Sequence, residues 1–182
     1  MKRTKRIIVL LLTAALMATL LTGCKDTLTA VAHKILGTGS SEVQEEDTTR
    51  WADATGEDLM LEGITDASAK YTSAMVNGSL NIVFNGIWSR KTDYFAAPNG
   101  TLTITGYGAA EGTQKFKVAV WQKIDGGVQY VPDSTYYFKT DGTNYRCTIS
   151  GLDPAAIYRL TISYDSSRYY LYGGLKVEGI AG

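Results

Sequence analysis

NYRCTISGLDPAAIYRLTISYD, residues 144–165, is the stretch that decides the expected fold of this chain. In its first half Tyr145, Cys147 and Ile149 alternate with polar residues, which is the period of a strand with one buried face. Pro154 then breaks the pattern, because it fixes its own φ and has no N–H for a sheet hydrogen bond. The alternation returns at Tyr158, Leu160, Ile162 and Tyr164. The stretch therefore predicts two strands joined by a corner.

The corner carries a family resemblance. Leu152, Pro154 and Tyr158 follow the spacing Gly-Leu-x-Pro-x-x-x-Tyr, which resembles the E–F corner of fibronectin type III domains. The resemblance implies a tyrosine corner, in which the Tyr158 hydroxyl bonds backward to the backbone near Leu152, within an antiparallel Greek-key, immunoglobulin-like β-sandwich. Two features depart from that family: the second predicted strand lacks Trp, and Ala155 and Ala156 follow the proline. A jelly-roll sandwich of the carbohydrate-binding-module type therefore stays open.

Alternating apolar runs separated by Gly, Asn and Asp turn signals begin at residue 71. Frequent turns without a helical pattern favour an all-β antiparallel sandwich over residues 71–182, which is long enough to bury a core. On the fibronectin arrangement, strands A, B, C, C′, E, F and G correspond to residues 80–87, 101–107, 115–124, 128–139, 144–151, 157–165 and 169–179. The same arrangement implies that strand F lies between C and G.

The N-terminus is typical of an export signal. Basic residues precede an apolar run from Ile7 to Leu21, which is shorter than the roughly 20 residues that span a bilayer. The run ends in Leu21-Thr22-Gly23-Cys24, which resembles the lipobox of bacterial lipoproteins. The resemblance implies that residues 1–23 are a cleaved signal peptide. It also implies that Cys24 carries lipid, palmitate included, and holds the protein on the outside of the cell membrane. An uncleaved anchor with an incidental cysteine is the alternative.

Residues 24–70 are expected to form an acidic tether with a short helix that ends before Gly37. Trp51 and the Leu59-Met60-Leu61 patch are expected to pack onto the edge of the domain. His33, the only histidine, is expected to be a solvated surface residue. From Cys24 onward the chain holds 14 basic and 18 acidic residues, a net charge of −4, because four of the 18 basic residues precede that cysteine. This balance does not predict a nucleic-acid partner.

No catalytic set is expected in the domain. It contains no histidine, and Cys147 has the parity of a buried position, where a cysteine is an inert small hydrophobe. No pattern predicts a zinc site, an EF-hand or a phosphate-binding loop, and the aspartates of the turns are expected to cap their own backbones. We therefore expect a non-enzymatic protein without metal or cofactor. A hydrolase that uses two facing carboxylates is the least favoured alternative.

Aromatic residues at outward positions predict a binding surface. Trp121 of strand C, and Tyr170 and Tyr172 of strand G, alternate with buried positions, and Arg159 is expected beside them on strand F. These four residues are the candidate ligand-binding set, because flat rings beside a polar strip suit a sugar or a protein partner. Alternatively, residues 51–64 cover the rings, or the rings are ordinary surface aromatics.

Two functions follow from these expectations. The first is a lipid-anchored binding or adhesion module on the bacterial cell surface, with the membrane and another surface protein as partners. The alternative is a carbohydrate-binding lipoprotein that uses the aromatic platform to bind a glycan.

Overall fold

The computed structural model describes residues 50–112, 114–166 and 168–182. All of them belong to one compact unit that spans Ser41–Gly182. They form two β-sheets, and none of them is helical, so the described part holds no helix that could cross a membrane. The predicted signal peptide, its lipobox, Cys24, the short helix and His33 all lie outside the described residues.

Twelve strands lie within the described ranges. They are β1 (Asp53–Ala54), β2 (Tyr71–Val76), β3 (Ser79–Ile87), β4 (Ser89–Lys91), β5 (Phe95–Ala96), β6 (Thr101–Ala109), β7 (Lys115–Ile124), β8 (Gly127–Tyr130), β9 (Tyr136–Lys139), β10 (Tyr145–Ser150), β11 (Ile157–Ser163) and β12 (Leu171–Glu178). Asn77 and Gly78, both with positive φ, turn β2 into β3, as an Asn-Gly pair does in a tight hairpin.

The strands form two antiparallel sheets. Sheet one has the order β1-β10-β6-β12-β3-β2, and sheet two has the order β4-β11-β7-β8, with β5 also paired to β11 and β9 to β7. The core lies between the sheets. There Phe116 of sheet two stacks on Phe138 with 5.1 Å between ring centroids, and it meets Phe84 of sheet one edge-on at 6.1 Å. The prediction of an all-β antiparallel sandwich is confirmed at this level.

The two strands around the corner have the predicted alternation. On β11, Tyr158 and its alternate neighbours are buried while the residues between them are half-buried. The hydroxyl of Tyr158 accepts a hydrogen bond from the Asp153 N–H at 2.7 Å and donates one to the Asp153 carbonyl at 3.1 Å. The neighbouring Leu152 N–H donates to the Gly100 carbonyl at 3.0 Å. The turn between β10 and β11 is thus fastened to the strand that follows it.

The prediction that the last strand lies beside strand F is wrong. β12 pairs with β3 and β6 in sheet one, whereas β11 pairs with β7 in sheet two. Glycines let β12 fit between two neighbours, since a Cβ on Gly106 would overlap Leu175 and lie 2.9 Å from the Gly174 carbonyl oxygen. A Cβ on Gly173 would come within 2.9 Å of the Phe84 ring. Such contacts are far below normal packing distance, so these positions favour glycine.

The sheets also begin earlier than the boundary predicted at residue 71. β1 pairs with β10, and Trp51 forms a bridge with Tyr137 of β9, with 5.8 Å between their rings. Leu59 and Leu61 are half-buried, whereas Met60 between them is 72% exposed. Trp51 and two of the three residues of the apolar patch therefore pack onto the domain as predicted.

Residues 55–64, here called the strap, cross the outer face of sheet one. Glu57 forms an ion pair with Arg146 of β10, with 2.7 Å between Arg146 Nη1 and Glu57 Oε1. The Leu61 side chain lies directly on Gly174 of β12, because a Cβ on that glycine would be 2.7 Å from it. The Glu62 N–H donates a hydrogen bond to Asn81 Oδ1 of β3 at 3.2 Å. The strap thus covers the middle of sheet one from β10 to β3.

Candidate functional site

Trp121 and Arg159 lie opposite each other on β7 and β11. Both point away from the core because their neighbours in each strand are buried inward. Tyr130 of β8, itself buried, meets the Trp121 ring edge-on with 5.7 Å between centroids. The Trp121 ring is therefore half-buried on the outer face of sheet two, and little of it is free to stack on a ligand.

Tyr94 completes this group, although the sequence analysis did not select it. The Arg159 guanidinium carbon lies 5.6 Å from the centre of the Tyr94 ring, and Lys123 Nζ lies 5.3 Å from it. Arg159 Nη1 is also 3.5 Å from the Tyr94 hydroxyl, at the long limit of a hydrogen bond. A ring between two cations is attracted to both through its quadrupole, so Tyr94 holds Lys123 and Arg159 together on this face.

Tyr170 and Tyr172 lie elsewhere, because their strand belongs to sheet one. Tyr170 meets Trp88, which follows β3 and was not predicted as a site residue. Tyr172 and Tyr170 both lie beside Gly86, where a Cβ would be 3.6 Å from the Tyr172 hydroxyl and 3.9 Å from Tyr170 Cβ. Trp88 stacks on Tyr170 with 4.8 Å between centroids and 16° between ring planes, and its Nε1 donates to the Tyr169 carbonyl at 2.9 Å. Trp88, Tyr170 and Tyr172 are 47%, 43% and 49% exposed, and we call these three residues the aromatic end.

A cleft of about 610 Å³ opens beside the aromatic end. Its lining combines aromatic rings with one acid and one base: Ala109, Ala110, Glu111, Arg168, Tyr169, Tyr170 and Tyr172. The Arg168 guanidinium carbon lies 5.2 Å from the centre of the Tyr169 ring. Ser166 Oγ accepts hydrogen bonds from the N–H groups of Arg168 at 3.3 Å and Tyr169 at 3.0 Å, which shapes the loop before β12. The cleft therefore offers flat apolar faces with a carboxylate and a guanidinium beside them.

The structure divides the predicted site set into two pairs. Trp121 and Arg159 share the outer face of sheet two, and Tyr170 and Tyr172 share the aromatic end. The alternation of Leu80, Ile82 and Phe84 would turn residue 88 inward. Gly86, with a φ of 77°, has no partner where β3 pairs with β12, and this bulge turns Ile87 inward and Trp88 outward. Tyr94 had no signal either, since it lies in the short connection between β4 and β5.

Titratable groups with altered pKa values have structural explanations. Burial, and then the charge of Asp53, raise the pKa of the Cys147 thiol to about 12, so it stays protonated. Hydrogen bonds from the Thr143 N–H and the Tyr145 hydroxyl lower the pKa of Asp141, which caps its own turn. Within the described ranges, no three His, Cys, Asp or Glu side chains cluster closely enough to hold a metal ion.

Comparison with known proteins gives one structural likeness. No protein-family model and no curated protein matches the sequence. A solved structure described as "CBM4 structure and function" matches at 12% sequence identity, over 65% of this chain and 74% of that chain, with a TM-score of 0.33. A distant structural neighbour is thus a carbohydrate-binding module. At this TM-score the likeness does not extend to individual residues.

Proposed function

We propose that this protein is a glycan-binding module whose binding site is the aromatic end and the cleft beside it. The observation that carries the proposal is the exposure of Trp88, Tyr170 and Tyr172, each between 43% and 49%, with both tyrosines lining one cleft and Trp88 stacked on Tyr170. Grouped aromatic rings at a surface mark a recognition site more often than single exposed ones do, because they offer a large contact area.

The chemistry of the aromatic end suits a sugar. The C–H groups on one face of a pyranose pack against a flat ring, and its hydroxyls need hydrogen-bond partners at the rim. Trp88 is fixed by its stacking on Tyr170 and by its bond to the Tyr169 carbonyl, so little side-chain entropy is lost when a ligand binds. Glu111 and Arg168 supply an acceptor and a donor within the cleft.

Binding without catalysis is part of the proposal. A typical glycosidase needs two carboxyl groups on either side of the scissile bond. Of the described residues that line the cleft, Glu111 is the single carboxylate. The lipid anchor is also proposed, on the strength of the lipobox at Leu21 to Cys24, and it would place the glycan site outside the cytoplasm. Metabolic labelling with an alkyne fatty acid checks it: Cys24→Ser should abolish the label.

A glycan array followed by affinity measurements tests the binding function. We expect Trp88→Ala and Tyr172→Ala each to weaken binding of the best glycan at least about tenfold, since central aromatic residues dominate such interfaces. Tyr94→Ala is the matched control, because it removes a ring of similar exposure from the other sheet. The proposal fails if no glycan on the array binds. It also fails if the tight-binding glycan is held equally well by the Trp88 and Tyr172 variants.

A further inference from the structure

The outer face of sheet two carries charge of one sign. The strand pairing defines its outward positions, because residues paired with Trp121, Ala119 and Lys117 share their side of the sheet. All charged side chains at these outward positions are cationic: Lys91, Lys115, Lys117, Lys123, Lys139 and Arg159. We call these six residues the basic face. Asp93, Asp125, Asp133 and Asp165 lie beyond the strand ends, and Asp165 lines a cleft of about 520 Å³ with Lys115 and Lys117 at one end of this face.

The basic face differs from the rest of the molecule. Six of the twelve basic residues from Arg50 onward lie on this one sheet surface, although the chain from Cys24 onward has a net charge of −4. On sheet one, acidic and basic side chains alternate, and Arg146 pairs with Glu57 and Lys176 with Glu178 at 3.5 Å. A surface with several charges of one sign attracts ligands of the opposite charge.

Two donors at the centre of the basic face have no acceptor. Nε1 of Trp121 and Nε of Arg159 are buried and make no hydrogen bond, although buried polar groups are nearly always paired. They belong to residues that lie directly opposite each other on β7 and β11. An oxyanion or hydroxyl brought to this point, with a small shift of the side chains, would satisfy both donors.

We propose that the basic face binds an extended anionic polysaccharide. Along β7 the outward positions from Lys115 to Lys123 span about 27 Å at roughly 3.4 Å per residue, which is room for several sugars. The hydroxyls of Thr161 and Ser163 lie between the cations at outward positions of β11 and can bond sugar hydroxyls. The carboxylate, sulfate or phosphate groups of the chain meet the lysines, and Trp121 and Arg159 hold the sugar at the centre.

Other polyanions fit this face less well. A single-stranded nucleic acid needs free rings for base stacking, but Tyr130 covers the edge of Trp121, and Tyr94 lies between two cations. A stable protein partner usually buries an apolar centre, whereas Ile157 is the one large aliphatic side chain exposed at the described outward positions. A hydroxyl-rich, regularly charged polymer needs neither feature. An anionic membrane is attracted by charge alone, so the vesicle measurement below separates it from a polysaccharide.

Affinity electrophoresis in gels that contain dextran sulfate, polygalacturonate or neutral dextran tests this proposal on the full chain. We expect retardation by the two anionic polymers, little by dextran, and a steep loss of binding as salt rises. Lys91→Glu with Lys123→Glu should weaken binding about tenfold, while Lys123→Arg retains it. Lys123→Glu alone is compared with Lys70→Glu, which reverses one charge at an exposed position away from this face.

The outcomes separate this proposal from its rivals and from the aromatic end. Equal weakening by Lys70→Glu would reduce the effect to net charge and overturn the proposal. Tighter binding to phosphatidylglycerol vesicles or to oligothymidine than to both anionic glycans, itself lost in the variant with Lys91→Glu and Lys123→Glu, would assign the face to a membrane or a nucleic acid, which also overturns the proposal. Trp88→Ala should leave retardation unchanged, so failure at the aromatic end does not affect this result. Lys91 and Lys123 are exposed, and a thermal melt of each variant checks that it folds.

Discussion

Removing one hydroxyl from the corner between β10 and β11 tests how the sandwich is held together. Tyr158→Phe keeps the buried ring, which is 1% exposed, and deletes both hydrogen bonds to Asp153. The Asp153 N–H then faces a phenyl edge instead of an acceptor. No other hydrogen bond of the described residues involves the Tyr158 hydroxyl, so the substitution isolates the corner.

The expected loss can be worked from these two bonds. Each is worth about 1 kcal/mol net, and both involve the partly buried backbone of Asp153, so we expect the free energy of unfolding to fall by about 2 kcal/mol. In a domain of this size each kcal/mol shifts Tm by about 4 °C, which gives a fall of about 8 °C.

Urea denaturation followed by tryptophan fluorescence, together with a calorimetric melt, measures the change. Tyr107→Phe is the control, because the Tyr107 ring is exposed and the structure gives its hydroxyl no hydrogen-bond partner. It should shift Tm by about 1 °C or less. If both variants melt within 1 °C of the parent, the backward hydrogen bond does not stabilise the sandwich and the reasoning about the corner is refuted.

Three further predictions concern a thiol, a glycine and the strap. At pH 8 Cys147 should resist iodoacetamide in the folded chain and react after unfolding, since burial raises its pKa to about 12; peptide mass spectrometry that finds fast native alkylation contradicts this. Gly106→Ala should destabilise the chain by about 1–3 kcal/mol in urea, whereas Gly127→Ala, with open space around its Cβ, should be nearly neutral. Glu57→Gln should speed thermolysin cleavage of the strap, and Asp58→Asn should not. The hydrogen bond from the Arg146 guanidinium lowers the pKa of Glu57. The ion pair is therefore fully formed above the ordinary pKa of a glutamate and is lost as the pH falls through the lowered pKa. Equal cleavage of the Glu57 and Asp58 variants would argue against this role of the ion pair.

Local sequence pattern predicted most of the strands correctly. Around Cys147 and Leu160 every second side chain is buried. This alternation can be recognised in the local sequence without knowing which strands pair with each other. The neighbours of each strand in the sheet were harder to predict. The fibronectin arrangement placed the last strand beside β11, but Gly106, Gly173 and Gly174 permit a close fit inside sheet one, and contacts that distant in sequence leave no periodic signal.

The candidate site was predicted as a set of residue types rather than as a place. Outward aromatic residues were found by parity, yet parity does not say which sheet a strand joins, so Trp121 and Tyr172 were grouped on one face. Trp88 was missed because the bulge at Gly86 reverses the alternation of β3 just before it, and the sequence pattern of that strand does not show the bulge. The basic face was hidden by the overall charge, because the acidic residues of the turns and the strap offset its cations in any count along the chain.

The strap has a consequence for where this domain can be cut or lengthened. Expression of a fragment that starts at Tyr71 would strip the cover from sheet one, leave the Arg146 guanidinium without its carboxylate, and bare an edge of β10 that invites pairing with other molecules. Aggregation of such a fragment would be a product of the cut and not a property of the sandwich. Insertions between Arg50 and Tyr71 should therefore be poorly tolerated, because they would displace β1 or the strap from sheet one.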